Sequence, residues 1–263
     1  MTALTQALEA GPEAGRSGQL GAWRHGGRVT IGLLALPIAI TSLGIRVLFA
    51  GLYWSSRMTG ATPTRLGPNQ AWMLGLAFYA AGLWVATGLA WRWSARRGVV
   101  RNVFLFRRLT VLDVALVLAL GVAGIIAEPL LSQWFGRRVG WHATVASGAN
   151  PRYQGVLWLA FIGSVLTAPF CEEVLFRGLI VAWLRARNVP TWALWLLGSL
   201  AFAPIHLPAF GLAWTMAVFF WGGMVLAVRL WRDSLTPCWA IHLLSNLYFA
   251  ILVPVFHIPA LRL

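Results

Sequence analysis

Lysine is absent from this 263-residue chain, cysteine occurs twice, and only seven residues are acidic. Cys171 and Cys238 both lie in apolar runs. Two such cysteines give no disulfide framework, and they read as free thiols packed as small hydrophobes. Charged residues make up only 11% of the chain, hydrophobic ones 59%, and the mean hydropathy is +0.72. A soluble domain of this size does not go so far. The basic excess, +14 and all of it arginine, invites a nucleic-acid reading. The arginines, however, mostly flank apolar spans, as membrane topology and anionic headgroups require. Nucleic acid is therefore rejected as a partner in favour of the lipid bilayer.

What the chain has in abundance is long apolar runs. Roughly 20 apolar residues cross a bilayer core, and the candidate spans are 29–54, 71–93, 109–131, 154–184, 191–208, 210–230 and 237–256. The predicted fold is all-α, a polytopic membrane protein of about seven transmembrane helices (six to eight) around a polar intramembrane cavity. Residues 1–28, polar and rich in small side chains, are expected to be a flexible N-terminal tail, and 29–257 a single transmembrane domain. The first apolar run is too long and starts too late for a cleavable signal peptide. With the N-terminus placed in the cytoplasm, thirteen arginines fall on that side and six on the other, a bias that supports the placement. Trp54, Trp72, Trp91, Trp93, Trp134 and Trp231 fall at span ends, where interfacial aromatics belong.

Ionisable groups inside a bilayer are costly, roughly 2.5–3.5 kcal/mol each at a helix centre, and usually functional. They carry unequal weight here. Asp113 follows Arg107 and Arg108 and reads as an interfacial contact. Arg46 and Glu128 read as structural, paired with each other or reaching headgroups. His25, His142 and His257 are placed outside the membrane core.

Three other groups stand apart. In "APFCEEVLFRGLIVAWLRAR", residues 168–187, Glu173 and Arg177 are spaced i, i+4 and share one helix face, which suits an ion pair. Glu172 is rotated about 100° away and lacks that partner, a setting that suits a general base. In "LAFAPIHLP", residues 200–208, His206 lies as far after the Asn188–Pro190 turn as Glu172 lies before it, so two antiparallel helices set them at similar depth. In "CWAIHLLSNLYF", residues 238–249, His242 and Asn246 are again i, i+4. Both can donate toward a developing negative oxygen, the requirement of an oxyanion site. Each signature alone has a plainer reading: interhelical salt bridges for the glutamates, packing for His206, a polar clasp for His242 and Asn246. Their concurrence favours a site. One measure does not close, since His206 is about 24 Å and His242 about 10 Å along the helices from turns on the same side.

The ordered set Glu172-Glu173-Val-Leu-Phe-Arg177, Phe202-Ala-Pro-Ile-His206 and His242-Leu-Leu-Ser-Asn246 resembles the CPBP family of CAAX proteases and bacteriocin-processing membrane enzymes, over about residues 154–250. The resemblance implies an intramembrane endopeptidase acting on a membrane-anchored protein or peptide, with a CAAX-type prenylated chain as one candidate. It implies that Glu172 and His206 activate water, that His242 and Asn246 form the oxyanion site, and that Glu173 and Arg177 support Glu172.

The expected cofactor is none, and no metal ligands are assigned. The alternative is a divalent metal such as zinc on His206, His242 and Glu172, a His₂Glu set, although the His-Glu-x-x-His pattern of soluble zinc proteases is absent. Competing functions are a catalytically silent self-immunity or scaffold protein, and a transporter relaying protons through the glutamates. A haem held by the two histidines is a further one. The chain lacks the internal repeat many transporters show, and a haem leaves the glutamates and Asn246 without a role.

Overall fold

The computed structural model describes residues 23, 26–60, 67–139 and 154–256, which form helices and short connections with no strand among them. Residues 140–153, the histidines at 25, 142 and 257, and most of the expected tail lie outside the described residues. The all-α membrane architecture is as predicted: six helical stretches are long and apolar enough to cross a bilayer.

α1 (Gly26–Thr59) and α2 (Pro68–Arg96) form an antiparallel pair. They approach closely where Gly44 faces the Phe78 ring and Gly82 faces the Pro37 backbone, so small residues set the spacing, as membrane helices require. A single turn, Val100–Val103, precedes a short extended connection to α3 (Val111–Val139). Thr110 and Asp113 cap α3 reciprocally: the Thr110 amide donates to Asp113 Oδ2 at 2.8 Å, and the Asp113 amide donates to Thr110 Oγ1 at 3.2 Å.

α4 (residues 154–185) is the central helix. Two-thirds of its most apolar window is buried inside the protein, against 11% for α1. It is not uniformly wound: wide turns at Ala160–Thr167 and Glu173–Ile180 flank an ordinary α-helical turn, Ala168–Glu172. Widened turns inside helices gather at functional sites because they re-aim side chains.

The predicted spans 191–208 and 210–230 both fall within the apolar stretch Thr191–Arg232. That stretch folds back on itself. α5 (Thr191–Phe202) leads through a tight turn, Ala203–His206, into α6 (Leu207–Arg232), and Gly211 breaks the path with φ 74°, ψ 175°. Across the hairpin, Trp195 Nε1 donates to the Gly223 carbonyl at 2.7 Å, and Gly198 faces Leu226. The last helix, α7 (Thr236–Phe256), packs on α3, where Gly121 faces Leu244.

Two expectations change, and one gains its partner. Trp23, assigned to the flexible tail, is buried with its ring 5.0 Å from that of Trp93, and α1 begins at Gly26 rather than 29. The turn after α4 holds this segment, since Arg187 donates to the Trp23 carbonyl at 3.3 Å. Asp113, read as an interfacial contact, is paired with Arg232 at the end of α6 at 2.7 Å. No ion pair joins Arg46 to Glu128 among the described residues; Arg46 is exposed on α1 and Glu128 is buried on α3.

Candidate active site

Six side chains were singled out in the sequence, and four of them meet. Glu172, Glu173, Arg177 and His242 are each 3% exposed or less, deep inside a bundle that offers little polar solvation. Arg177 Nη1 lies 3.2 Å from Glu173 Oε1, the i, i+4 pair its spacing predicts. Its other attachments fix it further. The guanidinium carbon sits 3.7 Å above the Phe202 ring, and Nη2 donates to the Gly222 carbonyl at 3.2 Å. Arg229 Nε in turn donates to the Arg177 carbonyl at 3.2 Å.

His242 joins the two glutamates. Its Nδ1 is 2.9 Å from Glu173 Oε1, while its Nε2 is 3.9 Å from Glu172 Oε2. A carboxylate already paired with arginine only accepts, so Nδ1 carries the proton and donates it to Glu173. That fixes the ring orientation and turns Nε2 toward Glu172. The ring is also flanked by Trp221, with centroids 4.9 Å apart, and by Phe202 at 6.1 Å.

Glu172 has a different set of partners. Tyr79, from α2, donates its phenolic hydrogen to Glu172 Oε1 at 2.9 Å. Glu172 Oε2 is buried and has no hydrogen-bond partner. The same holds for Glu173 Oε2, His206 Nδ1 and Trp221 Nε1. Buried polar atoms are nearly always paired, so a concentration of unpaired ones around two carboxylates marks polar capacity left for a bound molecule.

The other two predicted residues stand at the edge of this cluster. His206 lies in the tight turn after α5, its ring 4.9 Å from that of Phe202 and 6.0 Å from that of Phe210. It joins the cluster through Phe202, and no hydrogen bond links it to Glu172. Asn246 Nδ2 donates to the Ser164 carbonyl at 2.7 Å, inside the wide turn of α4. One of its two amide hydrogens is therefore used by the fold and one remains. The turn that carries His206 also resolves the unequal helix distances: the climb along α5 ends at Phe202, and the chain bends there instead of running straight on. The two turns do lie on one side, since Arg185 and Asp233 meet at 2.6 Å.

Tyr79 and Trp221 were missed in the sequence. Tyr79 is one of four tyrosines in the chain and lies in the apolar run "LAFYAAG". A phenol at that depth needs a partner, and that was the available signal. Trp221 is one of sixteen tryptophans, and nothing in its neighbourhood distinguishes it.

The residues proposed as a zinc set do not assemble as ligands. His206 faces aromatic rings, Nδ1 of His242 is held by Glu173, and no group of three His, Cys, Asp or Glu side chains among the described residues is arranged to hold a metal ion. Cys171 and Cys238 are buried free thiols, as expected.

Residues 154–248 match the family described as Type II CAAX prenyl endopeptidase Rce1-like. The matched region runs from the start of α4 into α7 and contains all six residues named above. No curated protein and no solved structure matches the chain.

Proposed function

We propose, from the match of residues 154–248 to the CAAX prenyl endopeptidase family, that this multi-pass membrane protein is an endopeptidase whose water is activated by Glu172 together with His206. The observation that carries the reading is the division between the glutamates. Glu173 is tied down by the Arg177 cation and His242 Nδ1, whereas Glu172 takes its hydrogen bond from the neutral Tyr79 hydroxyl and has Oε2 free of hydrogen bonds, 3.9 Å from His242 Nε2.

The chemistry follows from these attachments. Water placed between Glu172 Oε2 and His206 gives a proton to Glu172 as its oxygen attacks the peptide carbonyl. The tetrahedral oxyanion is met by the free amide hydrogen of Asn246 and by His242, which donates from Nε2 as the imidazolium. Collapse expels the amine, which takes the proton that Glu172 accepted. Glu173 and Arg177 touch none of the reacting atoms in this scheme. They position His242 and fix the rotation of α4, so that Glu172 is presented by a rigid backbone. Tyr79 holds the Glu172 carboxylate in one orientation.

The substrate is a membrane-associated protein or peptide, with a CAAX-type prenylated chain the first candidate. The N-terminus and the arginine-rich face formed by residues 107, 108, 185, 187, 229 and 232 are assigned to the cytoplasm on the arginine asymmetry. The deciding experiment compares purified wild type with Glu172→Ala on a membrane-anchored reporter, with and without a prenyl group. Cleavage by wild type alone supports the reading; equal cleavage by both proteins removes Glu172 as the base, and cleavage by neither favours a silent member.

A further inference from the structure

We propose that Glu128 is a positioning residue for the reaction: its carboxyl takes the indole N–H of Trp221, directly or across one water, and so holds that ring against His242. This rests on the endopeptidase reading and adds a residue of α3, a helix that otherwise gives the site nothing.

Register is the first argument. α3 and α6 run antiparallel, and two contacts fix their alignment. Asp113 pairs with Arg232 at 2.7 Å. Eleven residues further along α3, and eleven back along α6, a Cβ on Gly124 would lie 2.8 Å from Trp221 Nε1. Continuing the same register sets Glu128 level with Ala217, one turn beyond the indole. Long helical side chains lean back over the turn that precedes them, which for Glu128 is the turn of Gly124. Four residues of helix rise about 6 Å, a gap that a glutamate side chain closes alone or with one water. Gly124 and the fully buried Ala217 are the small residues that leave it room.

Unused polar capacity is the second. Glu128 is 6% exposed, and no hydrogen bond or ion pair ties it to another of the described residues. Trp221 Nε1 is buried without a partner. Burial penalises each group unless it is paired, and the two stand one turn apart on facing helices. An indole N–H only donates, and a carboxyl accepts in either protonation state. Asp113, the other acid on α3, is already engaged by Arg232 and Thr110.

The consequence falls on His242. The indole centroid lies 4.9 Å from that of His242, with the planes at 74°, and 6.2 Å from that of Phe202, whose ring carries the Arg177 guanidinium. Glu173 holds the imidazole at one atom, Nδ1, about which the ring can still swing. An indole anchored at Nε1 limits that swing and keeps Nε2 aimed at the oxyanion.

The test uses the full chain in detergent, with an NMR-active isotope in the indole nitrogens. The Trp221 resonance is identified as the one missing from Trp221→Phe. Glu128→Leu and Glu128→Met replace the carboxyl with apolar groups of similar size. Both should shift that resonance upfield, toward an unbonded N–H, and lower kcat on the reporter by about three- to tenfold, the range of one hydrogen bond, with KM unchanged. Glu128→Gln keeps an acceptor; its resonance should stay in place and its kcat within about twofold of wild type. Glu128→Leu combined with Trp221→Phe should be no slower than Trp221→Phe alone, since both remove the same bond. A resonance that does not move in the apolar variants overturns the proposal. So does a wild-type kcat in those variants, or a loss that multiplies with that of Trp221→Phe. The two readings fail separately. A resonance that moves in a protein that cleaves no reporter sinks the endopeptidase and spares the bond to Trp221; cleavage with an unmoved resonance sinks the bond and spares the endopeptidase.

Discussion

Glu172 and Glu173 are neighbours in the chain, yet their side chains enter different networks, and the residue-scale tests follow from that. Glu172→Gln keeps the shape and the bond from Tyr79 but cannot accept the proton of water. Turnover of the reporter should fall at least about a hundredfold, the lower end of the general acid–base range, while detergent-solubilised thermal stability stays near wild type. Arg177→Ala should behave otherwise. It strands the fully buried Glu173 carboxylate, at a cost of roughly 3–5 kcal/mol for a broken buried pair, so melting temperature and activity should fall together. A stable, active Arg177→Ala beside an unstable Glu172→Gln would reverse the division of labour. Tyr79→Phe removes one hydrogen bond to Glu172. Turnover should drop about tenfold, the effect of losing roughly 1.5 kcal/mol from a bond to a charged group, with little change in KM. These residues were unequally legible. Glu173 with Arg177, and His242 with Asn246, announced themselves because one helix supplies both members at a fixed spacing. Tyr79 reaches Glu172 across 93 residues of sequence, and no local period encodes such a contact. The same blindness hid the engagement of His242 with Glu173 and of Asn246 with Ser164.

At the scale of the elements, apolar run length was a sound guide to the spans, because the bilayer imposes one length on every helix that crosses it. Winding and direction were less legible. The wide turns of α4 lie where it packs against α1, α2, α5 and α7, contacts that come from distant parts of the chain, and α4 reads in sequence as an ordinary apolar helix. The reversal between α5 and α6 did leave a trace in "HLPAFG", where the run is interrupted by Pro208 and Gly211. Gly211 holds φ 74° with ψ 175°, a region essentially confined to glycine and costing other residues about 1–3 kcal/mol. Gly211→Ala should therefore lower thermal stability by that amount. Because Phe202 and His206 enter the hairpin from one side and Trp221 and Gly222 return on the other, the same substitution should also reduce turnover. A circular-dichroism melt beside the reporter assay measures both. Unchanged stability would mean that the reversal does not depend on this residue.

Across the whole molecule, one exposed carboxylate ties together segments that are far apart in sequence. Asp233 sits in the turn before α7 with φ 47°, a left-handed conformation aspartate tolerates. It accepts from Arg107 at 2.9 Å, Arg185 at 2.6 Å and Arg229 at 2.8 Å. These come from the connection before α3, the end of α4 and the end of α6, so the clasp closes one face of the bundle. The sequence showed arginines gathered at span ends but not which acid would collect them, since that depends on how the helices are arranged. Burial acts to raise the pKa of Asp233, and the bonds and charges of Arg185 and Arg229 outweigh it, holding the group at about 2. The unfolded value is about 3.9. A depressed carboxyl pKa contributes stability that is complete above the unfolded value and is lost as pH falls through the folded one. The clasp should thus be intact at pH 5 and above and weaken between about pH 4 and pH 2. With 40% of the side chain exposed, solvent screening reduces its contribution to about 1 kcal/mol. Asp233→Asn keeps the shape and the tolerance for the left-handed turn while removing the titration. Its melting temperature, followed by tryptophan fluorescence in detergent, should lie below wild type at pH 7, and the gap should narrow as pH falls toward 2. A gap that stayed constant down to pH 2 would mean that the charge of Asp233 does not hold this face together.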